Sequence, residues 1–112
     1  MPERLRVAVV GVGHFGRLHA EKYAAMDDVE LVAVVDQDAA RGAEIAAAHG
    51  CQALEHYQDL AGKVDAASLT VPTSLHHSVG LELLEMSLSL LVEKPITETV
   101  DRANALIATA KA

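Results

Sequence analysis

An α/β chain built around a doubly wound parallel sheet is what this sequence predicts, on three observations. Strand-like apolar runs alternate with helical periodicities along all 112 residues. The first run, Leu5 to Val10, passes straight into the glycine turn Gly11-Val12-Gly13-His14-Phe15-Gly16. The second run, Val29 to Val35, is closed by an acidic residue, Asp36. Right-handed crossovers between such units give strand order 3-2-1-4-5 in a single domain spanning residues 1–112, with a crevice for ligand above the C-terminal ends of strands 1 and 4.

Each element has its own signal. Leu5 to Val10 is too short for a secretory leader and enters the turn directly, so it reads as strand 1. Phe15, Leu18, Lys22, Tyr23 and Met26 recur at helical spacing, and Asp27-Asp28 ends that helix ahead of strand 2. Ala39 to Ala48 reads as a second helix with Arg41 and Glu44 facing outward, closed by His49-Gly50 through a glycine C-cap. Cys51 to Leu54 is a short third strand, Tyr57 to Ala61 one helical turn, and Val64 to Val71 a fourth strand stopped by Pro72. Leu75, Val79, Leu83 and Met86 mark one face of the next helix. Leu88 to Val92, apolar but for Ser89, is a fifth strand of the kind that helices cover on both faces. The last helix runs from Thr99 to Lys111 with Val100, Ala103, Ile107 and Ala110 on one side. Glu98 and Asp101 near its start and Lys111 at its end complement its dipole.

The glycine turn carries chemistry because of what flanks it. Gly11 permits the sharp strand-to-helix turn, Gly13 lets the backbone approach a pyrophosphate, and Gly16 lets the helix sit close to the strand. Amides of the first helical turn then meet the phosphates. Asp36, twenty residues after Gly16, stands where a carboxylate accepts hydrogen bonds from an adenosine ribose. Together these are the marks of a Rossmann-type dinucleotide site preferring NAD to NADP, since Asp36 repels a 2′-phosphate. Arg41, five residues on, could swing toward such a phosphate but, on a helix surface, reads as solvated.

Composition excludes several classes of partner. The formal charge of -7, with no Lys/Arg cluster to offset it, argues against nucleic acid and anionic membranes. The leucine-rich stretch Leu81 to Val92 is interrupted by Glu82 and Glu85 and is too short to span a bilayer. Cys51 is the only cysteine, so no intrachain disulfide forms; a reducing, cytoplasmic compartment is expected, with Cys51 as a small buried apolar residue. His14, His19, His49, His56, His76 and His77 lack metal-ligand spacing, so no metal is expected. Ser74 and His77 lack the Gly-x-Ser-x-Gly elbow of a hydrolase.

Three separately placed motifs resemble one family. The glycine turn with His19 in its helix, the run Val71-Pro72-Thr73-Ser74-Leu75-His76, and Glu93-Lys94-Pro95 after strand 5 are together similar to the N-terminal domain of Gfo/Idh/MocA oxidoreductases. The resemblance implies a two-domain NAD(P)-dependent enzyme acting on sugars, inositols and related hydroxyl compounds. It implies that Lys94 is the catalytic lysine, hydrogen-bonding the reacting hydroxyl and assisting proton transfer, although a lysine beside a turn proline, taken alone, reads more readily as solvated; its flanking residues and strand-end position reverse that weighting. Glu93 would lie near the nicotinamide ribose. Gly11, Gly13, His14, Phe15, Gly16, Val71, Pro72 and His76 would line the rest of the cofactor site, with His19 and His76 packing near the phosphate and nicotinamide loops.

Two departures from the family pattern stand out. Ser87 occupies a position where the family commonly has glycine, and a positive φ there would cost about 1 kcal/mol. The substrate domain, with its second catalytic group, has no counterpart in these residues, so the chain alone is expected to be inactive. A stand-alone, non-catalytic NAD-binding or sensing module is the alternative, disfavoured by the complete Glu93-Lys94-Pro95 motif. The family's sixth strand is also missing, so Leu88 to Val92 is expected to form an apolar sheet edge that promotes homo-oligomers unless the final helix folds over it.

Overall fold

A computed structural model of the chain describes residues 4–92 and 99–111. The elements are β1 (Leu5–Val10), α1 (His14–Ala25), β2 (Val29–Val35), α2 (Ala39–His49), β3 (Gln52–Leu54), a 3-10 turn (Tyr57–Leu60), β4 (Ala66–Leu69), a second 3-10 turn (Thr73–Leu75), α3 (His76–Glu85), β5 (Ser89–Val92) and α4 (Val100–Lys111). The strands form one parallel sheet in the order β3-β2-β1-β4-β5, as the sequence predicts.

Alternate side chains of the strands feed two cores. Val9, Val12 and Val34 pack with Ala20 of α1 and with Ile45 and Ala46 of α2. On the other face Ala8, Val10, Val35, Ala67 and Leu69 pack with Leu60, Val79, Leu83 and Leu88. Because both faces of β1 are covered, its last four residues are all buried. A register shift between Val7 and Ala8 pairs Val10 with Val35, and the Gly11 amide donates to the Val35 carbonyl at 2.7 Å. That register carries Asp36 up beside the glycine turn.

The helical spacing of α1 is as expected, but the face it buries is not. Gly16 and Ala20 face the sheet, whereas Phe15, Leu18 and Met26 are exposed. The glycine turn seats the helix so close to the strands that only the smallest side chains fit between them. In α4 the predicted apolar side is also rotated: Leu106 is buried, while Val100 is 74% and Ile107 45% exposed. The reason is Gly80, where a Cβ would lie 2.9 Å from Leu106 Cδ2; its absence opens the notch on α3 that Leu106 fills.

Strand β4 is shorter than the predicted Val64 to Val71 at both ends, and at its C-terminal end Thr70 and Val71 line the crevice while the Thr70 amide still donates to the Val10 carbonyl at 2.9 Å. The expectation that helices cover both faces of β5 also fails among the described residues. Leu90 and Val92 pack against the core, whereas Leu91 is 56% exposed. A groove of about 320 Å³ remains between β5 and α4, lined in part by Leu88, Leu90, Leu106 and Ile107.

Two helix ends follow from their sequences. Gly50 closes α2 in the left-handed region at φ 69°. Ser87 closes α3 at φ 65°, and the bonds Ser87 N–H to Leu84 O and Leu88 N–H to Leu83 O complete a Schellman cap. A serine there costs about 1 kcal/mol that glycine avoids. Cys51 is half-buried, and burial pushes its thiol pKa up, in keeping with a packing residue rather than a reactive one.

Candidate dinucleotide site

Gly11 turns the chain out of β1 at φ 90°, and a Cβ there would meet Val71 Cγ1 and N at 2.9 Å. At Gly16 a Cβ would lie 1.8 Å from the Gly11 carbonyl oxygen, so the fold itself demands glycine at both positions. Gly13 is different. Its φ is -70°, and among the described residues no atom beyond its own chain neighbours lies within 4 Å of where a Cβ would stand. The room it leaves opens onto the crevice.

Gly13 is also the N-cap of α1, where no side chain among the described residues caps the helix and no acidic residue occupies the first turn. The backbone amides and the positive end of the helix dipole are therefore presented to an anion in the crevice. This suits a phosphate in a chain whose charge is -7.

Asp36 forms the next wall. Its side chain is only 8% exposed, and its oxygens accept four hydrogen bonds. Oδ2 accepts from the Val12 amide at 3.0 Å and from Arg41 Nε at 3.2 Å. Oδ1 accepts from the Asp38 amide at 2.8 Å and from Arg41 Nη2 at 3.3 Å. Burial by itself would raise the Asp36 pKa; the bonds from Arg41, Asp38 and Val12, with the Arg41 charge, outweigh it and hold the carboxyl below its ordinary value. Asp36 is thus a carboxylate at neutral pH. Arg41, read from the sequence as solvated, is instead its bidentate partner while remaining 48% exposed. Asp38 caps α2 by accepting from the Arg41 amide, which brings that residue into reach of Asp36.

The crevice encloses about 790 Å³, within the usual range of roughly 300–1,000 Å³ for small-molecule sites. Of the residues singled out in the sequence, Gly11, Gly13, His14, Phe15, Asp36, Val71, Pro72 and His76 line it. Gly16 lies buried beneath the turn. Glu93 and Lys94 lie outside the described residues. His76 is 1% exposed, and its Nε2–H donates to the Val71 carbonyl at 2.9 Å, tying the start of α3 to the segment that packs on Gly11. His19 is away from the crevice lining, on the inner side of α1, where its Nδ1 bonds Ser68 Oγ at 2.9 Å and the Tyr23 hydroxyl bonds the same oxygen at 2.6 Å.

Sequence reading missed two parts of the wall. Thr70 Oγ1 has one proton to donate, with the Gly11 carbonyl at 2.5 Å and Val10 O at 3.1 Å both in reach, and so braces the turn from β4; nothing in a run of strand residues marks it. Glu55, His56, Tyr57 and Gln58 close the side beyond β3. The Tyr57 hydroxyl donates to Glu82 of α3, anchoring this segment. That bond, aided by burial and the Glu82 charge, pushes the Tyr57 pKa up to about 12, so the phenol stays protonated through the neutral range.

Comparison with known proteins agrees with this architecture. Residues 5–112 match the model of an oxidoreductase family with an NAD-binding Rossmann fold. The chain is 42% identical over 107 residues to the UDP-N-acetylglucosamine 3-dehydrogenase of Acidithiobacillus ferrooxidans, covering 96% of this chain and 34% of that enzyme. It is 33% identical over 108 residues to the inositol 2-dehydrogenase of Rubrobacter xylanophilus, covering 94% of this chain and 31% of that protein. A solved structure of the Acidithiobacillus enzyme superimposes with a TM-score of 0.92. GenD2 from gentamicin A biosynthesis, solved in complex with NAD, superimposes with a TM-score of 0.94 at 32% identity over 99% of this chain and 32% of its own. The chain thus spans about a third of the length of the relatives it matches. With the glycine turn, the acidic strand end and this sheet order agreeing along 5–112, the chain belongs to the Gfo/Idh/MocA oxidoreductase family, as its NAD-binding Rossmann fold.

Proposed function

We propose that this chain is the cofactor-binding part of a cytoplasmic oxidoreductase that transfers hydride between a nicotinamide dinucleotide and a hydroxyl or keto group of a sugar-type substrate. One observation carries the reading: the uncapped start of α1 and the Asp36 carboxylate stand on a single crevice at the C-terminal edge of the sheet. The bound nicotinamide would supply the hydride acceptor or donor. The chain's own residues do the rest. First-turn amides of α1 hold the pyrophosphate, Gly13 leaves it room, and Asp36 accepts from the adenosine ribose. Val71, Pro72 and His76 flank the nicotinamide half, with Glu93 near its ribose. Lys94 moves a proton to or from the reacting hydroxyl. The runs Gly11 to Tyr23 and Pro72 to His77 resemble UDP-N-acetylglucosamine 3-dehydrogenases, which supports a nucleotide-sugar substrate.

NAD should bind more tightly than NADP, because a 2′-phosphate would face the Asp36 carboxylate. Calorimetric titration of the chain with each nucleotide checks this, and Asp36→Ala should narrow the gap. Equal or tighter binding of NADP would sink the preference; binding of neither nucleotide would sink the cofactor reading.

We also propose that these 112 residues self-associate through β5, an edge of the sheet among the described residues, in which Leu91 is 56% exposed and no residue carries charge. Leu91→Lys is a cleaner probe than Leu90→Lys, since Leu90 packs on the core. A concentration series by analytical ultracentrifugation should show a dimer that Leu91→Lys disperses. A strict monomer, or a dimer indifferent to the change, would count against this edge.

A further inference from the structure

The Asp36 carboxylate has no acceptor site left for a ligand. A carboxylate offers about four lone-pair sites, and Val12 N–H, Asp38 N–H and the two nitrogens of Arg41 occupy four. The two backbone donors belong to the turn and to the capped start of α2, so they stay when the crevice fills. Arg41 is the replaceable partner, being 48% exposed and anchored by side-chain bonds of 3.2 and 3.3 Å.

We propose that Arg41 is a specificity-setting competitor within the dinucleotide site: it occupies the carboxylate that ribose hydroxyls must reach, and it offers a cation to a 2′-phosphate. This rests on the dinucleotide reading above and deepens it. An unphosphorylated ribose must displace at least one arm of the Arg41 fork before Asp36 can accept its hydroxyls. A 2′-phosphorylated ribose meets a guanidinium already at the pocket wall, and that guanidinium turns to it while Asp36 keeps its two backbone donors. Arg41 thus weakens NAD binding and softens the repulsion of NADP, so the native preference for NAD is smaller than Asp36 alone would set. Charge supports the assignment. Among the described residues lining the crevice Arg41 is the sole lysine or arginine, set against Asp36, Asp38 and Glu55.

Adenosine 5′-monophosphate and adenosine 2′,5′-bisphosphate differ only in the 2′-phosphate and isolate this end of the site. Calorimetric titration of the chain with each, for the native sequence and for Arg41→Met and Arg41→Lys, tests the proposal. In Arg41→Met the monophosphate should bind about threefold more tightly and the bisphosphate about tenfold more weakly, because a charge-assisted bond to phosphate is lost while carboxylate acceptors are released. Arg41→Lys should fall between, since an ammonium cannot span both oxygens. Binding of the monophosphate with its ratio to the bisphosphate unchanged in Arg41→Met would overturn this inference and leave the dinucleotide reading standing. Equal weakening of both probes in either variant would also overturn it, showing Arg41 to be a general contact. Failure of the native chain to bind either probe, or NAD itself, would overturn both together. Arg41→Lys keeps the charge and stem, so a fold defect in Arg41→Met does not hide the result.

Discussion

Gly16→Ala should strip the chain of dinucleotide binding and of much of its stability, the largest loss expected from any single methyl group in this fold. A Cβ at Gly16 would stand 1.8 Å from the Gly11 carbonyl oxygen and 2.8 Å from Thr70 Oγ1. The first neighbour is backbone and the second braces the turn, so neither gives way as a flexible side chain does. Overpacking in a tight core costs about 1–3 kcal/mol, occasionally more, and this overlap belongs at the top of that range. For a domain of this size the melting temperature should fall by about 10 °C or more. Gly13→Ala is the control. Among the described residues nothing beyond its chain neighbours lies within 4 Å of its Cβ position, so that variant should melt as the native chain does and yet bind NAD poorly. Circular-dichroism melts paired with calorimetric titration separate the two behaviours. A Gly16→Ala chain with native stability would refute the steric account, and a Gly13→Ala chain with native affinity would remove the pyrophosphate from this turn.

The second large effect concerns chemistry. These 112 residues alone should show no measurable sugar oxidation or reduction even when they bind cofactor, because turnover depends on a second surface to hold substrate over the nicotinamide. In a longer protein carrying this chain, Lys94→Ala should lower kcat about 10²–10⁴-fold with NAD affinity little changed, the range expected when a proton-transfer group is removed. Steady-state rates with a nucleotide-sugar series and a parallel NAD titration give both quantities. Turnover by the 112 residues alone, abolished by Lys94→Ala, would make the chain a complete enzyme. Undiminished kcat in the longer variant would remove Lys94 from the reaction.

How much of this was legible beforehand depended on the range of the interaction concerned. The limits of β1 and β2 could be read directly, because each is a buried strand bounded by a turn signal in its own sequence. The C-cap at Gly50 was likewise local, since glycine favours left-handed backbone, whereas the strained cap at Ser87 could be expected only from the family resemblance, because serine carries no such signal. The faces of α1 and α4 were not legible. Periodicity reveals that a helix has an apolar side, but Gly16, Ala20 and Leu106 are buried because of how near the sheet and α3 approach, which no spacing within the helix encodes.

The crevice divides along the same line. The parallel sheet order, the glycine turn and the carboxylate at the end of β2 are written in the residues themselves, because short-range stereochemistry and right-handed crossovers admit few other arrangements. What those groups touch was set by folding. The register of β1 on β2 carries Asp36 to the Val12 amide, the cap at Asp38 carries Arg41 to Asp36, and the β4 crossover carries Thr70 beneath Gly11. The Arg41 contacts are local to the start of α2, but those of Val12 with Asp36 and of Thr70 with Gly11 join distant parts of the chain, and hydrogen bonds, which act over about 3 Å, form there only once whole elements are packed.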